Sequence, residues 1–108
     1  MNDFYLSVYD VVRKIPKGSV CTYGDIAAYL STKSAARQVG YAMNKAHTIA
    51  PKVPAHRVVN RNGLLTGKNH FEMPTLMQEL LESEGVIIKD NQIQNFEQIK
   101  WIPLKELA

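Results

Sequence analysis

Cysteine is nearly missing from this chain of 108 residues: Cys21 stands alone, so no intramolecular disulfide can form. Long hydrophobic runs are missing too, since no apolar stretch approaches the roughly 20 residues of a membrane-spanning helix. The opening Met1-Asn2-Asp3 is unlike a secretory signal, and a reducing, cytoplasmic setting is the expectation. Internal repeats, low-complexity segments and Ser/Gly-rich linkers are absent, which predicts one domain over residues 1–108. The three histidines, His47, His56 and His70, have no zinc-ligand spacing with the single thiol, so neither metal nor cofactor is expected. A chain of this length buries roughly two-thirds of its unfolded surface and can fold without such staples.

Acidic residues are scarce in the first two-thirds of the chain. Residues 1–68 hold Arg13, Lys14, Lys17, Lys33, Arg37, Lys45, Lys52, Arg57, Arg61 and Lys68 against only Asp3, Asp10 and Asp25, whereas residues 69–108 are net acidic. The formal charge of +3 hides this asymmetry. A basic front attracts phosphate even at modest net charge, so nucleic acid is a candidate partner beside an ordinary solvated surface.

What is present is a helical pattern with sharp punctuation. Phe4, Val8, Val11, Val12 and Ile15 recur at helical spacing behind a cap at Asn2 or Asp3, and Pro16-Lys17-Gly18 stops them. Thr22-Tyr23-Gly24-Asp25 has the form of a capping box and predicts a short helix through Leu30. Ser31-Thr32-Lys33 reads as a turn, with Ser34 as the cap of a third helix over Ala35–Ala46. On a wheel at 100° per residue, Ala35, Val39, Ala42, Met43 and Ala46 share one face while Arg37, Tyr41 and Asn44 lie opposite. The outline is a helix-turn-helix. Arg57-Val58-Val59 then predicts a strand, which Asn62-Gly63 would fold into a hairpin with Leu64-Leu65 as a wing. Phe71, Leu76, Leu80 and Leu81 predict a fourth helix near Pro74, stopped at Gly85. A second hairpin is expected from Val86-Ile87-Ile88 and Ile93 around Asp90-Asn91, with Trp101 and Pro103 folding the tail back.

Val53-Pro54-Ala55-His56-Arg57-Val58-Val59 resembles the Pro-Cys-His-Arg-Val active-site segment of the O6-alkylguanine-DNA alkyltransferases, with Ala55 at the cysteine position. Ile15–Val20, Thr22–Ala27, Ala35-Ala36-Arg37-Gln38-Val39-Gly40 and Glu84-Gly85 agree in order and nearly in spacing. The resemblance spans about residues 4–85, and the extra N-terminal domain of full alkyltransferases is not among these residues; 86–108 is expected to be hairpin and tail. The chain is thus similar to the alkyltransferase-like proteins. The implied fold is a mainly helical α+β winged helix-turn-helix domain of the alkyltransferase C-terminal type.

The resemblance implies a minor-groove interface at Tyr23, Ala36, Arg37, Gln38, Gly40 and Tyr41. Arg37 matches the arginine finger that replaces a flipped-out base, and Tyr23 the residue that presses on the adjacent phosphate. Gln38 and Tyr41 stand where alkyltransferases usually have small residues. The implied lesion pocket comprises Tyr23, Val53, Pro54, Ala55, His56, Arg57 and Lys68, with His56 and Glu84 as a relay left with a structural role. An alanine methyl cannot accept an alkyl group, because dealkylation needs a thiolate. Cys21, on an apolar stretch without a flanking His, reads as a buried structural thiol rather than a substitute nucleophile. The expected function is a monomeric, non-enzymatic damage sensor. It would bind O6-alkylguanine in double-stranded DNA and hand it to nucleotide excision repair damage-recognition proteins. The alternatives are a winged-helix regulator without lesion specificity and a residual enzyme using Cys21, or His56 and Glu84, on alkylated DNA.

Overall fold

Asn2 opens the fold, its Oδ1 accepting from the Phe4 N–H at 2.7 Å to start helix α1, Asp3–Arg13. The computed structural model describes residues 2–30 and 35–108. Helix α1 buries Val8, Val11 and Val12, and Ile15 behind it is also buried, as the spacing predicts. Phe4 is only partly buried against that core. Tyr9, outside the predicted stripe, is fully buried because its hydroxyl donates to the Ala42 carbonyl at 2.7 Å. That bond ties α1 to the third helix.

Gly18, at φ 88°, reverses the chain into strand β1, Cys21–Thr22. The Thr22 hydroxyl then accepts from the Asp25 N–H at 3.0 Å and caps α2, Tyr23–Tyr29. The expected turn Ser31–Lys33 and the Ser34 cap lie outside the described residues. Helix α3 spans Ala36–Asn44, two residues shorter at its end than predicted, and is followed by a 3-10 turn at Ala46–Thr48. Its two faces match the wheel: Ala35, Val39, Ala42, Met43 and Ala46 are buried, while Arg37, Tyr41 and Asn44 are exposed.

The predicted Arg57–Leu65 hairpin is not formed. Strand β2, Val58–Val59, pairs in parallel with β1, in the register Cys21↔Val58 and Thr22↔Val59. Asn60 makes a tight turn, its carbonyl accepting from Gly63 N–H and its Oδ1 from Asn62 and Leu64 N–H, each at 2.9 Å. Only Gly63 adopts positive φ there, whereas the hairpin turn needs two such residues. Burial explains the choice of partner. Cys21 and Val58 face one core cluster with α1 to α3, while Val20 and Val59 face a second with Leu65, Met77, Leu81 and Val86. A strand buried on both sides belongs between two cores, not on a solvated wing.

The second expected hairpin is present as β3, Ile88–Lys89, antiparallel to β4, Gln92–Ile93. Its turn residues Asp90 and Asn91 both have positive φ, 53° and 64°. Helix α4 covers Leu76–Ser83; Phe71, expected within it, precedes it beyond a 3-10 turn at Lys68–His70. Thr75 precedes that start without a side-chain cap bond, and Gly85 at φ 92° ends the segment. The tail continues through α5, Phe96–Ile99, and α6, Pro103–Glu106. Trp101 is buried, and its N–H donates to the Val20 carbonyl at 2.7 Å, so the tail does fold back, against β1. The architecture is a helical α+β domain of winged helix-turn-helix type.

Tyr9→Phe removes the buried bond to the Ala42 carbonyl, which keeps only the Lys45 N–H at 3.1 Å, and is expected to destabilise the fold by about 1 kcal/mol in urea denaturation. An unchanged midpoint would show that this bond contributes nothing.

Candidate functional site

Glu84 lies between α4 and Gly85, where the chain turns, and its side chain is only 6% exposed. Oε1 accepts from Gly18 N–H and Arg57 Nε, each at 3.1 Å. Oε2 accepts from Arg57 Nη2 at 2.8 Å and meets His56 Nε2 at 2.7 Å. Arg57 Nη1 continues to the Ile15 carbonyl at 3.0 Å. Burial alone would raise the Glu84 carboxyl, but the bonds from Arg57, His56 and Gly18 overcome it and hold the pKa at about 2. Burial, helped by the charges of Arg57 and Lys52, lowers His56 against the pull of Glu84, so its ring is neutral at pH 7. An ionised carboxylate only accepts, which assigns the His56 proton to Nε2 and leaves Nδ1 a lone pair. The structure thus brings His56, Arg57 and Glu84 together.

Ala55 begins the 3-10 turn Ala55–Arg57 and borders two cavities. One, of about 10 Å³, lies between Tyr23, Met43, Asn44, Gly67 and Phe71. The other, about 130 Å³, lies beside Val53, Ile49, Phe71 and Leu76, with Lys52 and His56 as polar members of its wall. His47 borders both, edge-on to the Phe71 ring at 4.4 Å. A Cβ at Gly67 would stand 3.1 Å from the Tyr23 hydroxyl, so glycine there leaves the phenol its space. Burial pushes the Tyr23 phenol pKa up, against the pull of the Thr66 hydroxyl.

The sequence-predicted pocket is therefore divided. Tyr23 and Ala55 share the smaller space, Val53, Ala55 and His56 the larger, and Pro54, His56 and Arg57 line a separate open groove of about 600 Å³. Lys68 borders none of these three; it sits half-buried on the turn before Phe71. Met43, Asn44, His47, Gly67 and Phe71 went unmarked as pocket residues. Their only signal was position, since His47 and Phe71 meet solely through the tertiary fold. Cys21 also borders none of the three, is fully buried, and has its thiol pushed up to about 12, chiefly by burial and then by the Asp25 charge. It is a protonated core thiol.

The outer face of α3 has a different character. Arg37, Gln38 and Tyr41 are exposed, and Ala36 and Gly40 are half-buried. Nothing lies within 4 Å of a Cβ placed on Gly40. The structure records no hydrogen bond or ion pair for Arg37 among the described residues. Ala36 and Gly40 are the small residues of this face, beside the exposed Arg37, Gln38 and Tyr41.

A winged-helix-type domain with a buried His-Arg-Glu cluster behind this helix defines the class. Residues 3–86 match the model of the 6-O-methylguanine DNA methyltransferase DNA-binding domain. Alkyltransferase-like protein 1 of Schizosaccharomyces pombe is 44% identical over 88 residues, covering 82% of this chain and 81% of that protein. The methylated-DNA–protein-cysteine methyltransferase of Salmonella typhimurium is 50% identical over 64 residues, which span 59% of this chain and only 37% of that enzyme. Among solved structures, S. pombe Atl1 in complex with damaged DNA containing O6-carboxymethylguanine matches with a TM-score of 0.80 and 40% identity, covering 95% of this chain and 98% of that one. Mycobacterium tuberculosis OGT in complex with DNA matches at 0.67 and 38% identity, over 78% of this chain and 50% of that one. The chain belongs to the 6-O-methylguanine DNA methyltransferase DNA-binding-domain family and, within it, to the alkyltransferase-like proteins.

The Glu84 cluster makes stability fall on acidification. Folding lowers the His56 pKa from 6.5, so the unfolded chain takes up its proton first and stability declines below about pH 6.5. Glu84, lowered from 4.5 to about 2, contributes fully above pH 4.5 and loses its contribution as pH falls toward 2. The urea midpoint is expected to hold level between pH 7 and pH 8 and to drop in these two windows on acidification. Glu84→Gln should remove the lower decline and cost about 3 kcal/mol at pH 7. A midpoint constant from pH 7 to pH 3 would refute this role.

Proposed function

We propose that this chain is a non-enzymatic sensor of DNA damage. It binds O6-alkylguanine in duplex DNA from the minor groove, rotates the damaged nucleotide toward Ala55, and passes the lesion to nucleotide excision repair damage-recognition proteins. The observation that carries this reading is the complete His56–Arg57–Glu84 cluster beside a methyl group. The scaffold of a transfer site is retained where no atom can take the alkyl group. The lone thiol, Cys21, is buried and protonated and offers no substitute. The S. pombe relative bound to DNA containing O6-carboxymethylguanine supports the same ligand class.

In this reading Ala36, Gly40 and the neighbouring Gln38 and Tyr41 set α3 into the minor groove. Arg37 enters the base stack and Tyr23 presses on the phosphate beside it. Unstacking a nucleotide costs a few kcal/mol, and least for a base whose pairing is already damaged, so selection begins before the pocket is entered. O6-alkylation removes the guanine N1 proton and with it a normal pairing donor. The space beside Tyr23 and Ala55, about 10 Å³, holds one water at most, not a purine. Entry therefore requires the 66–71 segment to lift away from Tyr23 and His47, carrying Lys68 with it. Val53, Pro54, Ala55, His56 and Arg57 form the wall behind. The protein works as a monomer in the cytoplasm.

Titration into duplexes identical except for one O6-methylguanine or guanine, at fixed near-physiological salt, tests the reading. Preferential binding of the lesion is expected; equal affinity would leave only a general DNA-binding domain. Arg37→Ala should weaken lesion binding by about tenfold, the scale of one lost base-replacing contact, and unchanged affinity would sink the flipping model. Incubation with alkylated duplex should leave the intact mass of the protein unaltered, and any gain of one alkyl group would overturn the non-enzymatic assignment.

A further inference from the structure

The groove of about 600 Å³ on the other side of the Ala55–Arg57 turn shares Pro54, His56 and Arg57 with the wall of that reading, but its own space has no part in it. Its walls come from the end of α1, the Pro16–Gly18 loop, residues 52–57 and the second half of α4. None comes from α2 or α3, so it is separate from the helix assigned to DNA. Arg13, Lys17, Lys52 and Arg57 line it, and Glu84 is the one carboxylate among the lining residues. That carboxylate is already consumed by Arg57, His56 and Gly18. Arg13 is pinned by Asp10 at 3.1 Å and by the Pro51 carbonyl at 2.8 Å. Lys17 and Lys52 are exposed, and among the described residues no hydrogen bond or ion pair is recorded for either ammonium. Leu80 and Pro54 supply apolar surface between them.

We infer that this groove docks an acidic peptide segment of a protein partner, whose carboxylates sit against Lys17 and Lys52 and whose apolar side chains rest on Leu80 and Pro54. The charge is complementary and the free ammoniums give up no existing partner on binding. No Phe, Tyr or Trp lines the groove, and its one ring, His56, is buried and held by Glu84 rather than open to stack on a base, which favours a peptide over single-stranded nucleic acid. The inference rests on the proposed handover of the lesion, because it identifies the surface that a repair partner would meet. Seated there, the partner shares one three-residue turn with the lesion pocket: Ala55 borders the pocket while His56 and Arg57 border the groove.

The test is fluorescence anisotropy of the full chain with a labelled twelve-residue peptide of Glu, Asp and Leu, beside an O6-methylguanine duplex. Saturable peptide binding that weakens with salt is expected. Lys17→Glu should weaken it about tenfold while changing duplex affinity less than about twofold. Lys89→Glu, a charge reversal outside the groove, should leave peptide affinity as it was. Absence of saturable binding, or equal affinity of wild type and the Lys17 variant, overturns the proposal. So does a parallel loss of duplex affinity, which would make the groove a DNA contact. Peptide binding by a protein that ignores the lesion would retain the docking site and remove the damage-sensor reading instead.

Discussion

One carboxylate decides where the pieces of this site stand. Glu84 accepts from the Gly18 backbone, from His56 and twice from Arg57, and so joins the loop after α1, the turn of Ala55 and the end of α4. Those segments are far apart in sequence, and the Arg57 bond to the Ile15 carbonyl is a further polar link between two of them. A buried charge of this kind is tolerated because its acceptor positions are filled, and removing any donor leaves an expensive anion behind. The cluster holds Ala55 at the corner of two cavities and Arg57 against the Ile15 carbonyl.

The same turn gives the domain two unlike sides. Toward α2 and α3 it presents a methyl group among Tyr23, Met43 and Phe71; toward α1 and α4 it presents imidazole and guanidinium beside two free lysines. Pocket and groove thus lie within three residues of each other, and Lys52, His56 and Leu80 border both the groove and the larger cavity beside Ala55.

Features that depend on neighbours in sequence were readable before any coordinates. The Asn2 and Thr22 caps, the two faces of α3 and the Asp90-Asn91 turn each rest on a local rule, and each is present. Cys21 was legible as a core thiol for the same reason, lying on an apolar stretch. Tyr9 carries no such local mark, since the acceptor for its hydroxyl, the Ala42 carbonyl, lies 33 residues away. Val58-Val59 was recognised as a strand but given the wrong partner: proximity favoured Leu64-Leu65, while burial on both faces favoured Cys21-Thr22. Within the site, His56, Arg57 and Glu84 were identified by resemblance and do converge. His47, Gly67 and Phe71 carry no local mark, and Lys68 was placed in a wall that it does not border.

The small β1–β2 ladder divides two cores and spans just two residues on each strand, yet it fixes more than its size suggests. Tyr23 follows β1 directly and Ala55 stands three residues before β2, so backbone pairing sets the span between the two walls of the pocket. The side chain at residue 55 takes no part in that pairing. Reactivity and architecture are therefore separable at this one position: a reactive group can be gained or lost there while the surrounding frame keeps its dimensions.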